Sequence, residues 1–302
     1  MTQSVAGQIA QPQDMVLARP RQRLRIRGLP VLLVLLSLLV LFVAAGVFAP
    51  LLAPYAPNEQ SLTNRLRPPV WQDRGTWEHP LGTDNLGRDV LSRVIYGARI
   101  SLIVVAVSIP GSMIFGTFLG LMAGYRRGLI DSFLMRLVDV QLALPAILFA
   151  VLLAAVYGPS LTNVLAIIVV WRWASYARLV RGEVLSLRER DFVTASRTIG
   201  ASDSWIMIRH LVPNLVNAVV ILATLDIATV ILIEAALSFL GVGMPPPTPS
   251  WGAMVSEGRN FITVAWWLVT IPGLAILTVS LVGNLLGDWL RDLLDPRLKN
   301  IR

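Results

Sequence analysis

The chain has no cysteine, a single lysine and only two histidines among its 302 residues. Without cysteine it can form no disulfide, no thiol nucleophile and no cysteine-ligated metal site. His79 and His210 each lack a second histidine nearby, so we expect neither a metal site nor a histidine-based catalytic residue. The phosphate-loop pattern G-x-x-x-x-G-K-[ST] is also missing, which assigns any nucleotide chemistry to other proteins.

Charged residues are scarce as well, at 15% of the chain, whereas hydrophobic residues make up 55% and the mean hydropathy is +0.67. A soluble domain of this length is rarely so apolar, so the composition predicts an all-α integral membrane protein in contact with lipid. The net charge of +8 would suit nucleic-acid binding. However, no recognition motif accompanies it, and the positive-inside rule explains the arginines, so we expect no nucleic-acid partner.

Six apolar windows have the length of about 20 residues that crosses a bilayer as a helix. They are 31–53, 102–125, 137–157, 161–177, 215–240 and 264–286. The first window is too long for the apolar region of a signal peptide, and prolines follow it in place of a cleavage site. We therefore predict about six transmembrane helices, the first of which is retained.

Basic residues near the ends of the windows predict the orientation, because they remain on the cytoplasmic side. They cluster before the first window, between the second and third, between the fourth and fifth, and after the sixth. Both termini are therefore predicted to be cytoplasmic. The predicted domains are a basic N-terminal segment (1–30), the first helix (31–53), a periplasmic loop (54–100), a five-helix core (101–290) and a C-terminal tail (291–302).

A polar, arginine-rich segment at 178–213 separates the fourth and fifth windows. Its first part, 191–199, predicts a helix with one small-residue and apolar face formed by Phe192, Ala195, Ser196 and Ile199. After Gly200, Ser202 or Asp203 is a candidate N-cap for a second short helix, which Pro213 is expected to stop. From this second helix Trp205, Ile206, Ile208 and Leu211 are expected to emerge. Such a pair fits docking into a groove on a partner protein, and an amphipathic helix lying on lipid headgroups is the alternative.

The same segment resembles the cytoplasmic signature of the integral permeases of ABC importers, in particular the dipeptide, oligopeptide and nickel branch. That signature has a glutamate, two alanines, a glycine and a distal leucine and proline. The corresponding residues here are Thr194, Ala195, Ser196, Gly200, Val212 and Pro213. The departures are threonine for the acid, serine for the second alanine and valine for the leucine.

Further blocks resemble the same branch in the same order, and especially the second permease subunit of dipeptide transporters. They are 79–102, 135–150, 176–193, 234–254 and 266–297. The resemblance implies a type I ABC importer permease fold in the bacterial cytoplasmic membrane. It also implies that the chain is no enzyme, since ATP and Mg would be bound by partner subunits and this chain would hold no cofactor.

The implied partners are a homologous permease, two ATP-binding cassette subunits and a periplasmic or lipid-anchored substrate-binding protein. Dipeptides or short oligopeptides are the implied cargo, with nickel, glutathione or another peptide-like solute as alternatives. The resemblance implies that the polar segment couples to the ATPase. The expected coupling residues are Thr194, Ala195, Ser196, Gly200, Ala201, Ser202, Asp203, Trp205, Ile206, Ile208, Arg209, His210 and Pro213.

Two acids and three glycines are notable inside the apolar windows. Asp226 and Glu234 are eight residues apart, which places them about 80° from each other around a helix, so both can face the bundle interior. For Asp226 the sequence leaves a pore-facing role and a buried structural hydrogen bond open, and Glu234 can instead hold the outer end of its helix. Gly116, Gly120 and Gly124 share one helix face and predict close helix packing.

Two outer loops are the predicted surface for the substrate-binding protein. The candidate residues are Asp84, Arg88 and Asp89 in the first loop and Pro247 and Trp251 in the second. Two other classes of protein stay as alternatives. A secondary transporter or channel would show inverted repeats, and we detect none. An intramembrane enzyme would need reactive groups converging at one depth, and the apolar windows offer none with a recognisable spacing.

Overall fold

Backbone polar groups in a bilayer must bond to each other, so apolar windows of this length fold as helices. The computed structural model describes residues 29–294, and these residues contain eleven α-helices and no β-strand. The helices are α1 (Leu29–Val47), α2 (Ala49–Leu52), α3 (Val90–Arg126), α4 (Gly128–Ala143), α5 (Ala146–Tyr157), α6 (Leu161–Leu187), α7 (Asp191–Thr198), α8 (Asp203–Ile206), α9 (Val212–Phe239), α10 (Trp251–Gly258) and α11 (Trp267–Leu294). Most of the predicted N-terminal segment and C-terminal tail lies outside the described residues.

Five helical runs are long and apolar enough to cross a membrane, or six if α4 and α5 together form one broken span. The third predicted span, 137–157, is therefore wrong as a continuous helix, because α4 and α5 meet at an angle of 93°. Pro145 causes the break: the backbone of the preceding Leu144 is extended, as the ring of a following proline requires.

Two other helices extend well beyond their predicted windows. Helix α3 begins at Val90, inside the predicted periplasmic loop, with the Asp89 carboxylate accepting a hydrogen bond of 2.7 Å from the Ser92 N–H as its N-cap. Helix α6 continues to Leu187, past the predicted end at 177. Hydropathy locates the lipid-facing part of a helix but not its charged ends, so the core boundary at 101 is too late.

The long helices α3 and α6 pack closely along a row of glycines. A Cβ on Gly120 would lie 2.5 Å from the carbonyl oxygen of Ala177, and one on Gly124 would lie 2.8 Å from the Cβ of Val184. Gly116 meets α6 in the same way one turn earlier. The predicted close packing through these glycines is confirmed, because no larger residue leaves room for the α6 backbone.

The helical run that begins with α8 continues through Pro213, which the sequence expected to end it. Asp203–Phe239 is one span, with a wider π-helical turn at Met207–Leu211 just before the proline. Proline has no N–H to give to the preceding turn, and the side-chain amide of Asn214 donates to the carbonyl of His210 there at 2.7 Å. The helix after Gly200 is therefore the start of a long candidate membrane span rather than a separate short helix.

Candidate functional site

The predicted coupling segment, defined here as residues 188–211 and called the coupling segment below, meets the last turn of α3, at the opposite end of that helix from the loop of residues 54–89. Its end of the bundle is called the inner end, as the sequence predicts. The segment turns at Gly200, whose φ is +82°. The N–H of Gly200 donates to Arg197 and the N–H of Ala201 donates to Ser196, both at 3.0 Å, which is the Schellman pattern for ending a helix. A Cβ at Gly200 would meet no atom within 4 Å. Glycine is therefore needed for the backbone angle and not for space.

Helix α7 is fixed to the π-helical turn through His210. The Ser196 hydroxyl and the His210 Nε2 are 3.0 Å apart. The rings of Phe192 and Trp205 lie on either side, with centroids 5.7 and 4.8 Å from the imidazole. Val193 is fully buried beneath them. The two halves of the coupling segment thus form one packed unit.

The outer surface of this unit is apolar and uncovered. Ile199 is 81% exposed, Ile208 is 70% exposed and Trp205 is about half exposed. Ile208 also lines an apolar groove between α3 and α9, together with Phe118 and Val216. The other exposed residues of the predicted coupling set are Thr194, Ala195, Gly200, Ser202, Asp203, Arg209 and Pro213. Exposed apolar clusters of this kind mark contact surfaces.

The structure corrects part of the predicted coupling set. Ser196 and Ile206 are buried, so neither side chain can reach a partner, and Ala201 and His210 are half-buried. Leu211, which the sequence expected to emerge, is buried as well. Helix α7 packs against the bundle through Val193 and Ser196. Of the predicted face, Phe192, Ala195 and Ile199 are therefore exposed and Ser196 is not. Periodicity predicts which residues of α7 share a face, but it does not predict whether that face points towards the bundle or away from it.

A tyrosine that the sequence reasoning missed joins the coupling segment to α3. Tyr125, in the last turn of α3, donates its hydroxyl hydrogen to Asp203 at 2.7 Å. The Arg197 guanidinium carbon lies 5.2 Å from the centre of the tyrosine ring, and Arg188 donates to the Tyr125 carbonyl at 2.8 Å. Burial, and then the neighbouring Arg127 and Arg197, lower the pKa of Arg188. An aromatic residue just before two arginines at a helix end was the available signal.

Inside the membrane, Asp226 of α9 forms an ion pair with Arg172 of α6. The Arg172 Nε donates to one carboxylate oxygen at 3.1 Å, and a terminal nitrogen donates to the other. The side chain of Asp226 is 3% exposed and that of Arg172 is 15% exposed. The sequence named the acid but missed the base. An arginine inside the fourth apolar window was the signal, because intramembrane charges are usually paired.

Glu234 lies further along α9 and has different neighbours. It is fully buried, and one carboxylate oxygen accepts a hydrogen bond of 2.8 Å from Ser238. The Ser238 hydroxyl in turn accepts from the Met244 N–H at 3.3 Å, in the loop after α9. Of the two roles considered for Glu234, these contacts favour holding the outer end of the helix.

The outer lobe, defined here as residues 54–93 with α10, contains a network of four charged side chains, of which Asp84, Arg88 and Arg93 are buried and Glu257 is half-buried. Asp84 contacts Arg88 at 2.5 Å and Arg93 at 3.2 Å. Glu257 of α10 contacts the same two arginines at 2.7 and 3.1 Å. The network ties the loop to a helix far along the chain. It also pairs two of the loop's arginines, Arg88 and Arg93, with acids.

Four of the five predicted contacts for a binding protein are thereby corrected. Asp84, Arg88, Asp89 and Trp251 are all buried, so their side chains have no free surface. Asp89 is bonded to His79 at 3.0 Å, and the Trp251 Nε1 donates to a carbonyl of α3 at 2.9 Å. From the sequence, charged and aromatic loop residues are expected to be exposed, because the residues that bury them lie far away in the chain. Pro247 alone of the five is exposed.

A bundle of membrane-spanning helices with a charged pair at mid-depth and a projecting apolar segment has the architecture of a membrane transport subunit. Comparison with known proteins identifies the family. Residues 116–300 match the inner membrane component of binding-protein-dependent transport systems, and residues 24–69 match the N-terminal transmembrane domain of oligopeptide transport permease C. The chain belongs to the family of binding-protein-dependent transport system inner membrane components, as its sequence motifs indicated.

Relatives from several bacteria are similar over most of their length. The chain is 46% identical to the di/tripeptide transport system permease protein DppC of Pseudomonas aeruginosa, over 88% of both chains. It is 48% identical to the dipeptide transport system permease protein DppC of Escherichia coli K12, over 86% of both. It is 43% identical to a putative peptide transport system permease protein of Brucella suis, over 94% of this chain and 93% of the relative.

A solved structure of the MetNI methionine ABC transporter in inward-facing conformations shares the fold. The TM-score is 0.55 at 18% sequence identity, and the match covers 67% of this chain and 96% of the other. The predicted ABC importer permease fold is therefore confirmed.

Proposed function

We propose that this chain is the permease subunit of an ATP-driven importer of dipeptides or short oligopeptides, forming half of the translocation pathway. The cargo assignment is supported by relatives at 43–48% identity that are named as dipeptide or peptide permeases. Nickel, glutathione and other peptide-like solutes are the alternatives.

The proposed partners are a homologous permease, two ATP-binding cassette subunits and a substrate-binding protein. ATP and Mg are bound by the ATPase subunits. The observation that carries this proposal is the uncovered apolar surface of the coupling segment, formed around Ile199, Trp205 and Ile208. Leaving apolar surface in water costs roughly 25 cal/mol per Å², so a partner that covers these side chains gains stability. A groove on an ATPase subunit is the proposed cover.

Three connections would carry a movement of the coupling segment into the membrane. Its first half follows α6 directly in the chain, and its second half continues into α9 as one helix. The third connection is Tyr125, which links Asp203 and Arg197 to the end of α3. Because Ser196 and His210 fix the two halves to each other, the segment moves as a unit.

Replacement of Gly200 tests this function. Gly200→Val should strain the turn, since a side chain in the left-handed region costs roughly 1–2 kcal/mol and β-branched residues are worst there. Gly158→Val is the matched control: its φ is +80°, its Cβ would also meet no atom within 4 Å, and it lies between α5 and α6 away from the coupling segment.

The measurement is ATP hydrolysis by the complex co-purified in nanodiscs, with and without peptide-loaded binding protein. We expect stimulation of hydrolysis to be lost in Gly200→Val and retained in Gly158→Val. If the wild-type chain retains no ATPase subunits, the proposed function is wrong. If both variants respond alike, the coupling role of the turn is wrong.

A further inference from the structure

The Arg172–Asp226 pair lies near the middle of the membrane, on the two helices that flank the coupling segment. At a rise of 1.5 Å per residue, Arg172 is about 16 Å from the outer end of α6 and Asp226 about 20 Å from the outer end of α9. The hydrocarbon core is about 30 Å thick, so neither side chain can reach a headgroup region easily. Any movement that separates α6 from α9 must therefore act on this pair.

Asp226 is almost fully buried in the ion pair, whereas one edge of the Arg172 guanidinium lies outside it. The Arg172 Nε and one terminal nitrogen bind the carboxylate, while the second terminal nitrogen has no hydrogen bond to any other described residue. The arginine side chain remains 15% exposed. Lipid tails accept no hydrogen bonds, so the open edge of the guanidinium must face a protein subunit or an aqueous pathway.

Opening the pair would leave a guanidinium and a carboxylate in a medium where each needs a counter-charge. A peptide with free termini carries both counter-charges, a carboxylate and an ammonium, on one small molecule. Its carboxylate matches the planar fork of arginine, which binds carboxylates through two parallel hydrogen bonds. Its ammonium matches the carboxylate of Asp226.

We propose that Arg172 and Asp226 form an exchangeable charge site for zwitterionic peptides within the translocation pathway. In the closed pathway the two side chains neutralise each other. In the open pathway the peptide carboxylate binds Arg172 and the peptide ammonium binds Asp226, so neither charge is left alone. The inference rests on the proposed import of peptides, and it adds the residues that recognise them inside the membrane.

The absence of cysteine from the chain makes a direct test practical. Ser175→Cys places one thiol a helical turn from Arg172, and any label found on this chain by mass spectrometry reports that thiol alone. The assembled complex would be treated with a water-soluble thiol reagent during ATP turnover, with empty or dipeptide-loaded binding protein. The comparison is between the native pair and the neutral double variant Arg172→Gln/Asp226→Asn. Ser186→Cys, exposed near the inner end of α6, is the control position.

With a dipeptide at about ten times its apparent Kd, mass action predicts labelling of Ser175→Cys about tenfold slower when the native pair is present. The neutral double variant should lose this protection. Labelling of Ser186→Cys should be unaffected by the pair. Failure of Ser175→Cys to react, protection that is equal in both backgrounds, or no protection at all would each overturn the charge site. If peptide-loaded binding protein does not stimulate ATP hydrolysis by the wild-type complex, the proposed function itself is overturned.

Discussion

The outer lobe and the coupling segment are both polar stretches between apolar windows, yet they are built in opposite ways. The outer lobe buries several of its charges: Arg93 is 1% exposed and Asp84 is 6% exposed. The coupling segment exposes its apolar residues: Ile199 is 81% exposed and Ile208 is 70% exposed. Charges are buried where the chain provides their partners, and apolar groups are exposed where another protein is expected to cover them.

The contacts within the two regions also differ in range. The Arg88–Glu257 hydrogen bond joins residues 169 positions apart in the sequence, whereas the Ser196–His210 contact joins residues 14 apart. The outer lobe is therefore a tertiary structure that depends on the whole bundle. The two halves of the coupling segment are joined by a local contact, and the segment packs on α3, α6 and α9 through buried residues such as Val193, Ile206 and Leu211. This contrast predicts different responses to mutation.

The largest effect is expected at the outer lobe, from Arg93→Met. Removing this buried guanidinium leaves Asp84 and Glu257 only partly compensated, and breaking a buried ion pair from one side costs about 3–5 kcal/mol. The measurement is thermal unfolding of the purified chain in detergent or nanodiscs. Arg99→Met is the matched control, since Arg99 is exposed on the same helix. This variant should unfold at the same temperature as the wild type. Equal unfolding temperatures for the two variants would mean that the network adds little stability.

A smaller effect, on association and not on folding, is expected from Ile208→Asp. A charge in place of this exposed apolar side chain of the coupling segment should weaken retention of the ATPase subunits by about 2 kcal/mol or more, as at other interface hot spots. Retention on a tagged ATPase subunit is the measurement, with the unfolding temperature as a check on folding. Leu62→Asp, at a 70% exposed apolar residue of the outer lobe, should leave retention unchanged. If both variants release the ATPase equally, the surface around Ile208 is not the docking site.

The smallest effect is expected from Tyr125→Phe, which removes one hydrogen bond to Asp203 and keeps the ring under Arg197. Such a bond contributes about 1 kcal/mol, so folding and assembly should persist while the number of peptides transported per ATP falls modestly. A double-mutant cycle with Asp203→Asn separates this contact from indirect effects, because the second change should add nothing once the bond is gone. Additive losses would show that Tyr125 does not act through Asp203. Tyr157→Phe, at an exposed tyrosine, is the control.

Local sequence features predicted a large part of the fold and some of the site. Apolar windows located the five long spans, because burial in lipid requires a fixed length of apolar helix. The glycine rows and the turn at Gly200 were also readable, since they depend on one residue and its backbone. Periodicity did not give the rotation of α7, so Ser196 was placed on the wrong face. Pro213 was expected to end a helix because the wider turn that accommodates it is not visible locally.

The sequence by itself determined that this is a multi-span helical permease and predicted a docking segment between two of its spans, because composition, window length and ordered motifs are properties of short stretches. Only the tertiary structure decided that Asp226 pairs with Arg172, that Tyr125 links α3 to the coupling segment, and that the outer charges are internal. Each of these depends on side chains distant in the chain meeting at bonding distance. Charge and hydropathy along a sequence name the groups that need partners, and the fold selects which partners they obtain.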